Sequence, residues 1–583
     1  MENKTLTYAD KPWLKHYDKG VPHTINYPQV PLHQFLHDTA KRVPNAIALV
    51  SSAKLPVLGR VAAEMNYAQL EAASDALAAA FVDMGLKKGD RVAIVMPNCA
   101  AFVITFFAIL KAGGVVAATN PTYPAQAMAY QINDCDAEFV VALSLYYNLV
   151  KEIQPKTKVK HVIVTNIKEY LPASAKLLFT LAREKKEGHR VEALKGGDFW
   201  FQDLLAKYAG RKPNVQVGPS DLAIFQYTGG TTGVSKAAMS RHSALVANML
   251  QLNAWMEPFG VPGEKEIFLG AIPMFHVYGL VVVASLAVYK GSRVILVPNA
   301  RDIDEVISVI DHFKPTLFPG VPALYNAINN HPKVKAGEVS LRSLRYCISG
   351  SAPLPNAVKD EFERISGTVL REGFGMSEAP TATHTSPVKG EWRNNSIGIP
   401  LPDMEMRIVS LDDGETEVPV GEIGELCMYG PNIMVGYHGM PTETDNVLRE
   451  HNGKKWLYTG DIARMDEDGF FYIVDRKKDM ALIGGYNVYP ANVENVIKSH
   501  PAVLEVGVAA VPHPEKEGQE ALKAWIVLKP GMTATAEEII AHCEQSLAPY
   551  SVPRRIAFIN ELPKTAVGKT LRRELVKMEM EKR

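Results

Sequence analysis

The sequence offers little from which to build a disulfide. Its 583 residues include five cysteines, at 99, 135, 347, 427 and 543, and no pair has C-x-x-C spacing. That excludes a disulfide framework and a cysteine-based zinc site, and it suits a reducing compartment. Net charge is absent too. The chain carries 63 Lys and Arg against 63 Asp and Glu, which removes the electrostatic case for a nucleic-acid partner. There is no internal repeat and no low-complexity tract. Met1-Glu2-Asn3-Lys4 lacks the basic-then-apolar pattern of a signal peptide. Glu581-Lys582-Arg583 carries no retention or peroxisomal address. A cytoplasmic protein is therefore expected. Residues 271–289 hold no formal charge, but Pro273, His276 and Gly279 interrupt them. A membrane span needs about 20 apolar residues, so this stretch reads as a buried helix of a large core. Residues 102–110, which end at Lys111, read the same way.

A chain this long exceeds one compact core, since domains usually hold roughly 100–200 residues. Its 47% hydrophobic and 22% charged residues are ordinary globular composition and argue against long disorder. Over the first two thirds, short β-branched runs (91–95, 161–164, 222–225, 293–297) alternate with helical segments such as 67–84 and 302–313. This predicts an α/β fold with largely parallel sheets covered by helices on both faces. Near residue 400 the texture changes to consecutive short strands (405–409, 424–428, 470–474), with Asp468-Gly469 as a turn, which predicts a small antiparallel barrel or sandwich. Beyond Asp475-Arg476-Lys477-Lys478-Asp479 come a helix at 491–499, strands at 505–511 and 521–528, a helix at 536–547 and a strand at 556–560. They predict a compact α+β unit. The charged segment before them is a hinge candidate.

One loop stands out chemically. Thr228-Gly229-Gly230-Thr231-Thr232-Gly233-Val234-Ser235-Lys236 follows a predicted strand ending at Tyr227. Three glycines let backbone N–H groups approach phosphate oxygens, while hydroxyls and Lys236 add donors and charge. The spacing differs from the G-x-x-x-x-G-K-[ST] loop of P-loop NTPases. No G-x-S-x-G nucleophile elbow occurs anywhere.

Tyr227 to Gly233 with Ser235-Lys236 resembles the signature of the adenylate-forming superfamily, which includes acyl-CoA synthetases, coumarate-CoA ligases, luciferases and peptide-synthetase adenylation domains. Further motifs follow in the family's order over most of the chain. The resemblance implies a large N-terminal domain of αβαβα subdomains plus a small β-barrel, residues 1–475 with the barrel at about 400–475. A smaller mobile α+β domain, 476–583, then carries the catalytic lysine. The resemblance also implies ATP, Mg²⁺ and CoA as reactants and cofactor.

Residue roles carry over on matching motifs. The loop implies ATP-phosphate contacts from Thr228, Gly229, Gly230, Thr231, Thr232, Gly233, Ser235 and Lys236. Arg371-Glu372-Gly373-Phe374-Gly375-Met376-Ser377-Glu378 resembles the adenine-stacking and metal stretch. Phe374 there replaces the commoner Tyr, Glu372, Gly373, Gly375 and Ser377 surround the nucleotide, and Glu378 with Thr228 holds Mg²⁺. Mg²⁺ takes hard oxygen ligands and few from protein. Ser349-Gly350-Ser351-Ala352-Pro353-Leu354 turns at a strand's carboxyl end, and the resemblance sets Gly350, Ser351 and Ala352 against the adenine and Gly350 and Gly373 against the acyl carboxylate. Tyr458-Thr459-Gly460-Asp461 implies ribose binding by Asp461, with Arg476 reaching ribose or phosphate and Lys478 as the pivot of the small domain. His276 in Pro273-Met274-Phe275-His276 and Gly320 in Phe318-Pro319-Gly320-Val321-Pro322 would line the acyl side. Gly484-Gly485-Tyr486-Asn487-Val488-Tyr489-Pro490 matches a loop facing the site during thioester formation, with Gly484 where Ser is common. Lys569, in Pro563-Lys564-Thr565-Ala566-Val567-Gly568-Lys569, matches the catalytic lysine and acts with Glu378 and Thr228.

The whole pattern, including Asn120-Pro121-Thr122-Tyr123, is most similar to bacterial long-chain fatty acid CoA ligases. This implies activation of a fatty acid as acyl-AMP and acyl transfer to CoA. The segment 167–197 adds Leu177, Leu178 and Leu181 on one helical face followed by Arg183, Lys185 and Lys186, a pattern that suits peripheral contact with a membrane surface or an ordinary exposed helix. The reading also admits a homodimer. An aryl or medium-chain acid ligase, and a non-catalytic nucleotide- or lipid-binding relative, are the alternatives. A peptide-synthetase adenylation unit is disfavoured because no carrier domain follows Lys569.

Overall fold

The computed structural model describes residues 6–55, 59–228, 235–260, 264–483, 486–513, 520–565 and 569–581. Two large sheets carry most of the chain, and each is built on six parallel strands. In the nine-stranded sheet these are Val369–Met376, Tyr346–Ser349, Leu317–Gly320, Ile267–Gly270, Arg293–Leu296 and Ile47–Leu55, in spatial order. Ala379–Thr385 and Ile399–Pro400 extend one edge and Gly59–Asn66 the other, all antiparallel. The eight-stranded sheet orders Leu222–Tyr227, Val115–Ala118, Arg91–Val95, Phe139–Leu143, His161–Thr165 and Phe199–Trp200. Ala237–Arg241 and then Gly436–Tyr437 close its first edge in antiparallel fashion.

The apolar runs fit this role. All of Phe139–Leu143 and Val115–Ala118 is buried, as expected of parallel strands covered on both faces. Helix Ala100–Lys111 is buried on every side and packs against strands of both sheets, which is where a helix apolar all round belongs. Its Phe102, Phe106 and Phe107 are almost wholly buried, each worth about 1.5–3 kcal/mol of transfer free energy. The charge at its end, Lys111, is buried but paired with Glu71 at 2.6 Å and Asp75 at 2.7 Å.

The uncharged stretch 271–289 is a buried, interrupted helix. Val277–Gly279 leads into wide π-type turns over Leu280–Leu286 and then Ala287–Lys290. Gly279 cannot carry a side chain, because a Cβ there would stand 2.3 Å from the Pro273 carbonyl oxygen. Among the described residues no helix is long and apolar enough to cross a membrane. The five cysteines are free and buried.

After residue 400 an antiparallel sheet joins Glu405–Val409, Gly424–Tyr429, Lys454–Met465, Leu448–His451 and Phe471–Arg476. Its Asp468-Gly469 turn needs glycine twice over: φ is +91°, and a Cβ would lie 2.4 Å from the Trp13 nitrogen. The last unit packs helices Pro490–Lys498, Ala536–Glu544 and Arg572–Met580 on the strands Val503–Pro512, Glu520–Leu528 and Arg555–Phe558. It has its own core of residues such as Ile497, Val506, Leu522, Ile526 and Ile539. Predicted and observed elements agree within a few residues at each end.

Candidate active site

The carboxyl ends of the central strands open into one cavity of about 370 Å³, where open α/β sheets bind ligands. Strand Leu222–Tyr227 delivers Thr228, strand Tyr346–Ser349 delivers Gly350 and Ser351, and strand Val369–Met376 delivers Gly373, Phe374 and Gly375. Ser377 and Glu378 continue the wall, and His276 faces it from the 271–289 segment. Gly375 has to be glycine, because a Cβ would fall 1.7 Å from the Thr381 carbonyl oxygen. Phe374 is backed edge-on by His384 at 5.7 Å.

The loop at 228–236 is described only at its ends. Ser235 Oγ donates to the Thr228 carbonyl at 2.7 Å, and Thr228 N–H donates to the Lys236 carbonyl at 2.9 Å. Ser235 therefore pins the base of the loop and leaves the cavity wall to Thr228 and Lys236. The expected contacts from Gly229, Gly230, Thr231, Thr232 and Gly233 lie outside the described residues, as do those from Gly484 and Gly485. Lys236 lines the cavity, pairs with Glu443, and sits 5.2 Å above the Tyr437 ring.

Tyr437 has no signature in the sequence. The two-residue strand Gly436–Tyr437 docks it on Ala238–Met239, and its hydroxyl donates to Glu378 Oε1 at 2.6 Å. Glu378 is thus oriented from a point 59 positions along the chain, a distance that local pattern does not reveal.

The opposite wall is cationic. Arg476, the last residue of strand Phe471–Arg476, pairs across the ladder with Asp461, and its Nε donates to Asp461 Oδ1 at 2.6 Å. Lys478 follows it into the wall. Lys569 arrives from the C-terminal unit, with its N–H donating to Thr565 Oγ1 at 3.1 Å and its carbonyl accepting from Thr565 N–H at 2.8 Å. The Arg476 charge, with burial second, pushes the Lys569 ammonium down to about 8. Burial, then Arg476, also lowers Lys478. Arg476, Lys478 and Lys569 crowd one face beside Asp461 and Asp479, and Arg476 depresses the charged form of both lysines, an arrangement suited to a polyanionic ligand.

Some expected residues stand behind the wall. Asp461 is buried next to Arg476. Its carboxyl is raised by burial, against the pull of Arg476, Lys569 and Lys478. Its Oδ2 is buried and has no hydrogen-bond partner among the described residues. Glu372 is buried, accepts from Leu354 N–H at 3.3 Å, and is pushed up to about 8 by burial. Gly320 meets the Tyr325 ring, 2.7 Å from a built Cβ, and does not line the cavity. Ala352 does not line it either. His276 is a helix cap whose Nδ1 accepts from Tyr278 N–H at 3.3 Å; burial lowers it to about 4, so its ring is neutral.

The far end of the cavity is uncharged. Leu252, Trp255 and Met256 form it with Tyr278, Val282, Tyr346 and Ala382. Sequence reasoning missed this group, because helix His242–Met256 is buried on nearly every side and gives no clue to which face meets a ligand. A neighbouring groove of about 1300 Å³ shares Phe275 and Thr565 with the cavity.

A cavity at strand ends that carries cations on one wall and uncharged residues on another suits a ligand with an anionic part and an apolar part. Residues 36–438 match the AMP-binding enzyme family and residues 492–569 match the AMP-binding enzyme C-terminal domain. The chain belongs to the AMP-binding enzyme family. It is 38% identical over 574 residues to a long-chain-fatty-acid–CoA ligase of Bacillus subtilis (strain 168), covering 98% of this chain and 99% of the relative. ATP-bound MatB from Rhodopseudomonas palustris shares the fold with a TM-score of 0.78 at 26% identity, covering 94% of this chain and 98% of that one. The anthranilate CoA ligase AuaEII, solved with anthranoyl-AMP, also has a TM-score of 0.78, at 25% identity over 99% of this chain and 100% of that one.

Proposed function

We propose that the protein is an ATP-dependent ligase that activates a long-chain fatty acid as acyl-AMP and transfers the acyl group to CoA. The observation that carries this reading is the single cavity with Lys569, Arg476 and Lys478 on one wall and an uncharged end at Trp255 and Val282. The name of the Bacillus subtilis relative supports a long aliphatic acid.

In the first half-reaction a carboxylate oxygen attacks the ATP α-phosphorus. The bond to the β-phosphate oxygen breaks, and pyrophosphate leaves. Two anions must meet, so positive charge at the reacting atoms lowers the barrier. Lys569 bridges carboxylate and α-phosphate, while Lys236 and the 228–236 loop hold the leaving phosphates. Phe374 stacks on adenine, and Arg476, held by Asp461, reaches ribose or phosphate. Glu378, held by Tyr437, and Thr228 are the oxygen donors that would hold Mg²⁺, which supplies charge neutralisation on the phosphates. Among the described residues no three His, Cys, Asp or Glu side chains form a metal-binding group, and a cation that keeps most of its ligands from substrate and water needs none.

In the second half-reaction the CoA sulfur attacks the acyl carbon, the bond from that carbon to the phosphate oxygen breaks, AMP leaves, and the thiol proton passes to solvent. Lys569 occupies space the thiol needs. The C-terminal unit, bounded at 475/476, swings about Lys478 to withdraw Lys569, and the groove meeting the cavity at Phe275 and Thr565 gives the thiol an approach. CoA-ester formation across acids from acetate to oleate, with coumarate included, tests the reading. A profile rising toward oleate is expected. A coumarate or short-acid optimum would replace the fatty acid, and absence of acid-dependent ATP–pyrophosphate exchange would overturn the ligase itself.

Helix Ala173–Ala182 supports membrane contact during acid uptake. Leu177, Leu178 and Leu181 are 60%, 42% and 76% exposed, and residues 167–197 hold seven Lys and Arg against four Glu. Such a face suits an anionic lipid surface. Co-sedimentation with phosphatidylglycerol-containing vesicles should fall in a Leu177→Glu/Leu181→Glu variant that turns over a short soluble acid normally. Equal sedimentation would remove the assignment.

A further inference from the structure

Lys569 stands where its neighbours repel it. Arg476 and Lys478 share its wall, and the Arg476 charge is the main reason its ammonium is held down. With no anion between the cations, that repulsion has to be offset elsewhere if the C-terminal unit is to stay against the barrel. Three positions beyond Lys569, Arg572 opens helix Arg572–Met580. Its side chain is 17% exposed, and it binds three carboxylates. Nε and Nη2 donate to the two oxygens of Glu494 at 3.0 and 2.9 Å. Nη1 donates to Asp475 at 3.0 Å and to Asp479 at 2.9 Å.

These carboxylates fall on two sides of the pivot proposed at Lys478. Glu494 lies on helix Pro490–Lys498 of the C-terminal unit and also accepts from Val508 N–H at 2.8 Å. Asp479 follows the pivot. Asp475 precedes it, in the barrel strand Phe471–Arg476, where the ladder pairs it with Ile462. Lys477 is tied to the barrel as well, its N–H donating to the Gly460 carbonyl and its ammonium to Glu425, both at 2.8 Å. Asp475 is buried, and its Oδ2 accepts from Ala491 N–H at 2.7 Å, in the first turn of helix Pro490–Lys498. One barrel carboxylate thus receives both a guanidinium and a helix N-terminus from the C-terminal unit. A swing about Lys478 carries Arg572, Glu494, Asp479 and Ala491 together and leaves Asp475 behind. Of these contacts, the two made to Asp475 must break.

We infer that Arg572 is a positioning residue whose ion pair with Asp475 latches Lys569 into the cavity for adenylate formation and opens for thioester formation. The inference rests on the ligase reading and on the swing about Lys478. Glu494 grips the guanidinium bidentately, which aims Nη1 at Asp475 in a fixed direction. The latch therefore sets where the C-terminal unit stops as well as how firmly it is held. Neutralising Asp475 does not orphan Arg572, which keeps Glu494 and Asp479. What is lost is the docking contact.

The test measures dodecanoate-dependent ATP–pyrophosphate exchange and, separately, conversion of supplied dodecanoyl-AMP to its CoA ester, in wild type, Asp475→Asn and Arg572→Lys. In Asp475→Asn the exchange should fall about tenfold or more, since a contact that favours one orientation is weakened. Conversion of dodecanoyl-AMP should hold or rise. Arg572→Lys keeps the charge but not the planar fork. It should split the half-reactions in the same direction, and it carries the test if Asp475→Asn does not fold. Equal loss of both half-reactions, or no change in either, would overturn the inference. Absence of exchange in the wild type would remove the ligase reading, and equal loss of both half-reactions in Lys569→Ala would remove the swing, so the three failures are distinguishable.

Discussion

The two ends of the cavity are built in opposite ways. The cationic end is assembled late and from afar: Arg476 closes a barrel strand, Lys478 follows it, and Lys569 is carried in on the C-terminal unit. The uncharged end belongs to the main core, where helix His242–Met256, the 277–290 helix and the central strands pack without a charge between them. In the proposed mechanism the charge that leaves between half-reactions sits on the C-terminal unit, and the uncharged surface that would meet the acid sits on the main core. Chemistry and selectivity can therefore be altered separately.

The sharpest way to break that contrast is Lys569→Ala. Loss of a preorganised charge at the reacting atoms should cut acid-dependent pyrophosphate exchange by about 100- to 1,000-fold. Conversion of supplied acyl-AMP to acyl-CoA should survive. Equal loss of both would mean that Lys569 serves the whole site and not one half-reaction.

A buried carboxyl between the two ends gives the next largest effect. Glu372 has an ordinary value of 4.5 and is pushed up to about 8 by burial. The folded state must therefore keep a proton that the unfolded state releases, and stability falls as pH rises from 4.5 to 8. Glu372→Gln removes this cost and should stabilise the protein by up to about 3 kcal/mol at pH 7. The gain should vanish near pH 4.5. Denaturant unfolding at several pH values reads it, and a pH-independent difference would contradict the burial argument.

The smallest change concerns pH and sharpens the cationic end alone. Lys569 must be protonated to bridge two anions, and its ammonium is held down to about 8, chiefly by Arg476. The charged form is present below that value and lost above it. In pyrophosphate exchange, which involves no CoA thiol, kcat/KM should decline as pH rises through about 8. Arg476→Gln removes the main depressing charge, so the decline should move toward the ordinary lysine range. A limb that stays in place would assign it to another group.

Much of this was legible in the sequence because the signals were local. The strand runs, the change of texture near 400 and the motif series from Thr228 to Lys569 all lie in short segments. Phe374, Glu378, Arg476, Lys478 and Lys569 were identified there and meet at one cavity. Long-range pairings were not legible. Tyr437 reaches Glu378 only because a two-residue strand adds to a sheet edge, and Asp461 meets Arg476 only through ladder register. Trp255 was hidden by its surroundings, since a helix buried on all sides has no polar face to mark the direction of a ligand. Gly320 resembled a wall residue but serves Tyr325, where space is the limit.

The five cysteines have a practical consequence. All are buried, and burial pushes Cys99 and Cys135 up to about 12 and Cys543 to about 11, with Cys347 and Cys427 also raised. Thiolate is the reactive form, so the folded protein is nearly silent toward thiol-specific dyes. CoA then contributes the signal in such a mixture, and its disappearance follows thioester formation continuously without correction for the enzyme.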